Sequence, residues 1–179
     1  ERQRYAQAGV STDHECTTLD EGRECIRAGM KVIIREGSSA KDYAHLHPLI
    51  DEYPDQVMLC TDDCHADDLV RGHILSIVKR ALIEDHDFWN VLQVACCNPQ
   101  RHYGVNWGLL QEGDPATFLI VNNTGPFLGV QNTIIRGVEV YSYNLSFGSI
   151  SARRQPIADL KSYPNRFCAH PPFQIDGNF

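Results

Sequence analysis

Histidine and carboxylate residues gather at the carboxyl ends of three short apolar runs. His14 and Glu15 follow Gly9-Val10-Ser11-Thr12-Asp13, Arg35 and Glu36 close Met30-Lys31-Val32-Ile33-Ile34, and Asp62, Asp63 and His65 follow Val57-Met58-Leu59-Cys60. Imidazole and carboxylate are the ligand types of a hard or borderline divalent metal, and a carboxylate beside such a metal doubles as a general base toward water. The residue types alone leave a plainer reading open, in which His14 is a hydrogen-bonded strand-end histidine and Asp62 caps the helix that follows. Cys60-x-x-x-Cys64-His65 also has a spacing that permits a metal, but it lacks the distant partner that closes a tetrahedral site.

These residues must be held by the elements that precede and follow them. From Arg2 to about Asp68, short apolar runs alternate with amphipathic stretches, the pattern of βα units. The sequence predicts a strand over 9–15, a helix over 18–28, a strand over 30–39, a helix over 39–50 and a strand over 55–60. Thr17 or Thr18 with Glu21 forms a capping box for the first of these helices, and Gly29 ends it. Ser38 is expected to cap the helix that begins at Ser39. In a parallel arrangement all three strands deliver their polar ends to one mouth, where α/β enzymes carry out their chemistry.

Beyond the third strand, 67–83 reads as one helix and 88–98 as another that Pro99 closes. From Trp107 the pattern changes to short β segments at 113–121 and 130–141, separated by turn residues. The tail from Ser151 carries Pro156, Pro164, Pro171 and Pro172 without periodicity and reads as linker or extended chain. The expected domains are therefore 1–105, 106–150 and 151–179. A closed eight-stranded barrel takes about 250 residues, so three βα units in a chain of 179 residues read as part of one. The chain begins with Glu1 and enters a helical pattern at once, as though picked up within a domain.

Composition narrows the function classes. The chain is 42% hydrophobic and 22% charged, with a net charge of −7, and outside Arg153-Arg154 its basic residues are scattered. That disfavours nucleic acid, whose binding requires phosphate neutralisation, and favours a small neutral or cationic ligand. No apolar run approaches the roughly 20 residues that span a bilayer, so no membrane role is expected and the reading is cytoplasmic. The seven cysteines include no CxxC pair, which fits reduced, mostly buried thiols better than disulfides or structural zinc.

Four blocks carry a resemblance. Thr12-Asp13-His14-Glu15, the stretch 29–41, Cys60-Thr61-Asp62-Asp63 with Asp68-Leu69 and Gly72-His73, and Gly113-Asp114-Pro115-Ala116 together resemble the adenine deaminases of the amidohydrolase superfamily. The first three are specific to that branch, whereas Gly-Asp-Pro-Ala is shared widely across the superfamily. The resemblance implies an α/β chain: the C-terminal part of a metal-dependent (β/α)8 barrel, strands six to eight, followed by part of a small β-sandwich. It implies Mn or Fe, with Zn as a further choice and no organic cofactor, and hydrolysis of adenine to hypoxanthine and ammonia in purine salvage.

By the same resemblance His14 matches the sixth-strand metal ligand, and Asp62 the eighth-strand aspartate that is both ligand and proton shuttle. Arg35, Glu36 and Ser38 stand where the purine binds, although Glu36 also reads as an ion pair with Arg35 or Lys41. Glu15, Asp63 and His65 read as support behind the ligands. The HxH pair, the fourth-strand ligand and the fifth-strand histidine have no counterpart in the chain, so the segment alone is expected to be inactive. A homo-oligomer is the expectation for the longer enzyme.

Thr117 and Asn122 depart from family residues in the β segment and bear on packing. His73 reads as a surface or helix-packing histidine; His45, His47, His86, His102 and His170 carry no pattern and read as structural. The rival readings are a cyclic-amide hydrolase of the dihydroorotase or hydantoinase type and a non-catalytic remnant or binding module.

Overall fold

The computed structural model describes residues 1–143, so the tail 151–179 and its reading as extended chain lie outside the described residues. Helix α1 (Arg2–Gln7) leads to β1, which narrows to Thr12–Asp13, the two residues that pair with the neighbouring strand. Helix α2 (Leu19–Arg27) begins at Thr18. The Thr18 hydroxyl accepts from the Glu21 N–H, and the Glu21 carboxylate accepts from the Thr17 and Thr18 N–H groups. This capping box ties down donors that helix geometry leaves orphaned. Gly29, at φ +93°, turns the chain out of α2 into β2 (Lys31–Arg35) through the left-handed region that glycine adopts without steric cost.

Strand β2 lies between β1 and β3 (Val57–Cys60), parallel to both. A parallel pair needs a crossover. Helix α2 supplies the first, and α3 (Tyr43–Leu46) with α4 (Leu49–Glu52) supplies the second. The single helix expected over 39–50 is thus two short ones that meet at Pro48, which has no N–H to continue the ladder. Val32, Ile34 and Val57 bury completely and share one core with Cys25, Leu49 and Ile50 and with residues from the later helices.

The helix expected over 67–83 is likewise two, α5 (Ala66–Arg71) and α6 (Ile74–Ile83). Gly72 separates them in a fully extended conformation, and a Cβ there would run into the Ser76 hydroxyl. Asp87 caps α7 (Phe88–Leu92) by accepting from the Trp89 and Asn90 N–H groups. The chain then passes through a π turn at Gln93–Cys97 into α8 (Asn98–Tyr103). Pro99 does not close the helix as expected. It stands in the first turn of α8, where a missing N–H costs nothing, and left-handed Gly104 ends the element.

Strands β4 (Phe118–Val121), β5 (Val130–Ile135) and β6 (Val138–Ser142) form a separate antiparallel sheet in that order. Arg136 and Gly137 both take positive φ between β5 and β6, the two-residue turn whose twist suits a hairpin. Val121 and Leu128 join this part of the chain to the main core. The architecture is mixed α/β. Its parallel sheet holds three strands among the described residues and does not close on itself. Among the same residues, no helix is long and apolar enough to cross a membrane.

Candidate functional site

The register of β2 and β3 sets Arg35 opposite Cys60, so the residues that follow each strand emerge side by side. The Glu36 N–H donates to the Cys60 carbonyl at 3.0 Å, and the Ser38 N–H to the Asp63 carbonyl at 3.0 Å. Gly37 lies between these bonds. A Cβ there would run into the Thr61 carbonyl oxygen and come within 2.9 Å of that of Asp63, so only glycine lets the two strand ends meet. Asp62 takes φ +51°, a left-handed conformation uncommon outside glycine, which turns the chain sharply after β3.

Arg35 is the hub of the polar groups at these ends. Its Nε donates to Asp42 Oδ2 at 2.8 Å, and its Nη1 lies 3.2 Å from Asp62 Oδ2 and 3.0 Å from Glu15 Oε1. Glu15 Oε1 is in turn 3.3 Å from His14 Nε2. Three short links therefore connect His14 on β1 to Asp62 beyond β3, through Glu15 and Arg35. The Arg35 side chain is 9% exposed. Burial works against its charge, but the hydrogen bond and charge of Asp42, with Glu15 and Asp62, outweigh burial and hold its pKa above the ordinary arginine value.

Glu36 faces the other way. Its partner is neither Arg35 nor Lys41, as the sequence suggests, but Arg80 of α6, with Nη1 3.0 Å from Oε1; the second carboxylate oxygen, Oε2, is buried without a hydrogen-bond partner. With Thr61, His73 and Arg80, Glu36 lines a pocket of about 250 Å³. Ser38 does not cap a helix at Ser39, because α3 starts only at Tyr43. Its hydroxyl instead donates to Asp68 Oδ2 at 2.5 Å and accepts from the His65 N–H at 2.9 Å, fastening β2's end to the start of α5. That hydroxyl bond, ahead of the nearby cations Arg71 and Lys41, holds the Asp68 carboxyl below the usual carboxylate range.

The structure thus brings His14, Glu15, Arg35 and Asp62 into one network and gives Glu36 and Ser38 separate partners, Arg80 for the first and Asp68 with His65 for the second. His14 and Glu15 border a broad depression of about 910 Å³ beside α1, which the pocket at Glu36 does not share. Asp63 is exposed, and His65 is the residue from which α5 starts. His73 is exposed, as expected of a surface histidine, and sets Nε2 3.1 Å from the Thr61 hydroxyl at the rim of the pocket. Asp42 and Arg80 are the site residues that sequence reasoning missed. Arg80 stands beside Lys79 on a helix that otherwise reads as apolar, and nothing in that pattern marks one cation over the other.

Cys60, Cys64 and His65 do not form a ligand triad among the described residues. Burial pushes the Cys60 thiol above its ordinary pKa, which disfavours a thiolate ligand there. His14 and Asp62 are suitable donors for a divalent cation, and their two strand ends are already joined through Glu15 and Arg35. The Arg35 guanidinium balances the charge of the surrounding carboxylates.

Comparison with known proteins bears on these geometries. The chain is 53% identical over 140 residues to an adenine deaminase of Methanosarcina mazei, 51% over 136 residues to one of Salinibacter ruber, and 48% over 147 residues to one of Borreliella afzelii. These alignments cover 76–80% of the chain and 25–27% of each relative, so the chain spans about a quarter of the length of the curated relatives it matches. Over the matched residues the sequence is about half identical to these adenine deaminases. No family model matches. Among solved structures, two of a β-aspartyl dipeptidase from Fervidobacterium islandicum AW-1 share the fold at TM-scores of 0.52 and 0.55, with 16% and 18% identity. Each covers 72% of this chain, which in turn covers 38% and 37% of the two.

Proposed function

We propose that the chain is the C-terminal part of the catalytic barrel, strands six to eight within 1–105, followed at 106–150 by part of a β-sandwich, in an enzyme that deaminates adenine hydrolytically. The observation that carries this reading is the identity of about half the residues to adenine deaminases, together with the network that joins His14, Glu15, Arg35 and Asp62 at adjacent strand ends. The product pair is hypoxanthine and ammonia, and the ligand is a small purine.

In this reading His14 and Asp62 are two ligands of a divalent ion, Mn or Fe before Zn, and the longer protein completes the set. When bound, such an ion acts as a Lewis acid and lowers the pKa of water toward about 7. Asp62 takes the proton of the attacking water on its carboxylate and returns it to the departing amine. Arg35 fixes the Asp62 carboxylate from one side, so that proton transfer starts from a held geometry. Glu15 bridges His14 and Arg35 and sets the imidazole's orientation. Glu36, with one buried carboxylate oxygen free of partners, recognises a purine ring nitrogen, and Arg80 holds it in place. Ser38 acts at that same end by anchoring the loop through Asp68.

The test is turnover of adenine by the full-length enzyme that carries this segment, loaded with Mn or Fe, against the Asp62→Asn variant. Asparagine tolerates the left-handed backbone of Asp62, so the variant removes the charge and the proton acceptor while leaving the turn intact. The expected loss is roughly 10²- to 10⁴-fold in kcat, the usual range for a general acid–base group. Unchanged turnover removes Asp62 from the mechanism. Turnover of a cyclic amide in place of adenine overturns the substrate class.

A further inference from the structure

His47 and His86, read from the sequence as structural, meet away from the strand ends. His47 closes α3, and His86 follows Glu84, the residue that closes α6. His47 Nδ1 lies 2.8 Å from His86 Nε2 and 3.9 Å from Glu84 Oε2, and all three ligand atoms fall within 4.8 Å of one another. Behind them, His86 Nδ1 is 2.6 Å from Asp51 Oδ2, and the other Asp51 oxygen accepts from the Asn90 side chain at 2.9 Å.

This arrangement decides the tautomer of His86. A carboxylate only accepts, so Nδ1 carries the proton toward Asp51, and in the neutral ring Nε2 then presents its lone pair toward His47 Nδ1. A carboxylate behind an imidazole whose far nitrogen faces other donors is the usual orientation of a metal-ligating histidine. The His86 side chain is 7% exposed and that of Glu84 33%, so the imidazole is rigidly housed while one side of the cluster stays open to solvent. Tyr43 stacks on His47 at 5.6 Å between ring centroids and limits that ring's rotation.

We propose that His47, His86 and Glu84 form a binding site for a divalent first-row transition-metal ion of the zinc class, with Asp51 as the orienting carboxylate and a coordination position open to water. Two imidazole nitrogens at bond lengths of about 2.0–2.1 Å on a tetrahedral ion lie about 3.3 Å apart. The rings must therefore part by about half an ångström, a small swing for the partly exposed His47. Without the ion, the His47 Nδ1 proton bridges to His86; on binding, that proton leaves Nδ1 and the neutral ring is protonated at Nε2 instead. Glu84 coordinates through Oε2, while Oε1 keeps its 3.1 Å bond to Arg80 Nε. All three ligands belong to this chain, so the site requires none of the ligands that the proposed catalytic centre takes from elsewhere.

The test is titration of the 179-residue chain with Co²⁺ under reducing conditions, read by visible absorption. One ion per chain is expected, with ligand-field bands and no thiolate charge-transfer band, since the Asp13, Cys16 and Cys25 cluster is the other triad that offers ligands among the described residues. Affinity should fall about 10- to 100-fold in Asp51→Asn, the range for loss of an orienting partner, and by more than that in His47→Gln and Glu84→Gln. It should be unchanged in Cys16→Ala/Cys25→Ala and in His14→Gln. Should His47→Gln fail to fold, Glu84→Gln, whose wild-type side chain is a third exposed, decides alone. Absence of saturable binding, binding unchanged in Glu84→Gln, or binding lost with the cysteine pair or with His14 overturns the proposal.

Discussion

Arg35 donates to Asp42 through Nε at 2.8 Å while its Nη1 reaches Asp62 at 3.2 Å, so the cation that holds the site carboxylate is itself anchored by a nearly buried one. Asp42 immediately precedes α3, and its side chain is 12% exposed. The crossover between β2 and β3 therefore sets the position of Asp62, although the two parts of the chain are distant in sequence.

Replacing Arg35 by Met should destabilise the chain by roughly 3–5 kcal/mol, because the Asp42 carboxylate is left nearly buried without its cation. Arg35→Lys restores the charge but not the two-sided geometry and should recover only part of this. Urea unfolding midpoints of the wild type and both variants give the comparison. A loss as small as an exposed pair's, below about 1 kcal/mol, would show that Asp42 does not depend on Arg35.

Gly37→Ala should cost about 1–3 kcal/mol, in the range of overpacked sites, because the new methyl meets two backbone carbonyls rather than a side chain that can turn away. In the full-length enzyme its effect on adenine turnover should exceed its effect on stability, since the displaced strand ends carry Glu36 and Asp62. Equal effects on both would mean that Gly37 serves only packing. Parallel measurements of thermal melting and turnover decide between them.

The sequence made the βα alternation, the α2 capping box and the polar strand ends legible, because each depends on residues within a few positions of one another. Thr18 with Glu21 is such a case, and the contact seen is the one its spacing predicts. The breaks at Pro48 and Gly72 were readable in principle, but the apolar periodicity runs on through both residues and hides them. The Glu36–Arg80 pair was not legible. It spans 44 positions and depends on how α6 packs against the sheet, which local pattern does not encode. The same holds for His47 and His86, which carry no motif and are brought together only by the packing of α3 and α6.

Thr18→Ala should remove the hydroxyl that accepts from Glu21 and cost about 0.5–2 kcal/mol. Helix α2 packs on β2 and its Cys25 is fully buried, so the loss should appear in global unfolding rather than as local fraying. A hydrogen-exchange change confined to the first turn of α2, with an unchanged unfolding midpoint, would contradict this.

Cys16 and Cys25 should resist alkylation at pH 8 in the folded chain. Burial first, then the Asp13 carboxylate, pushes their thiols up to about 12 and about 11, so almost no thiolate is present and access is blocked. Both should react once the chain is unfolded. Mass-spectrometric mapping of iodoacetamide adducts in native and denatured samples reads this directly, and rapid native labelling of either cysteine would show that the cluster opens.

The Ser38–Asp68 bond predicts a pH dependence of definite sign. The folded-state pKa of Asp68 lies below its unfolded value, so its contribution to stability is fully present above the unfolded pKa of about 3.9 and is lost as pH falls through the folded one. The stability difference between wild type and Ser38→Ala should therefore be flat from neutral pH down to about pH 5 and should shrink below about pH 4. Urea midpoints measured for both proteins at stepped pH give the curve. A difference that grows on acidification would mean that Ser38 favours the protonated carboxyl, which would reverse the role of the hydroxyl in holding the loop between β3 and α5.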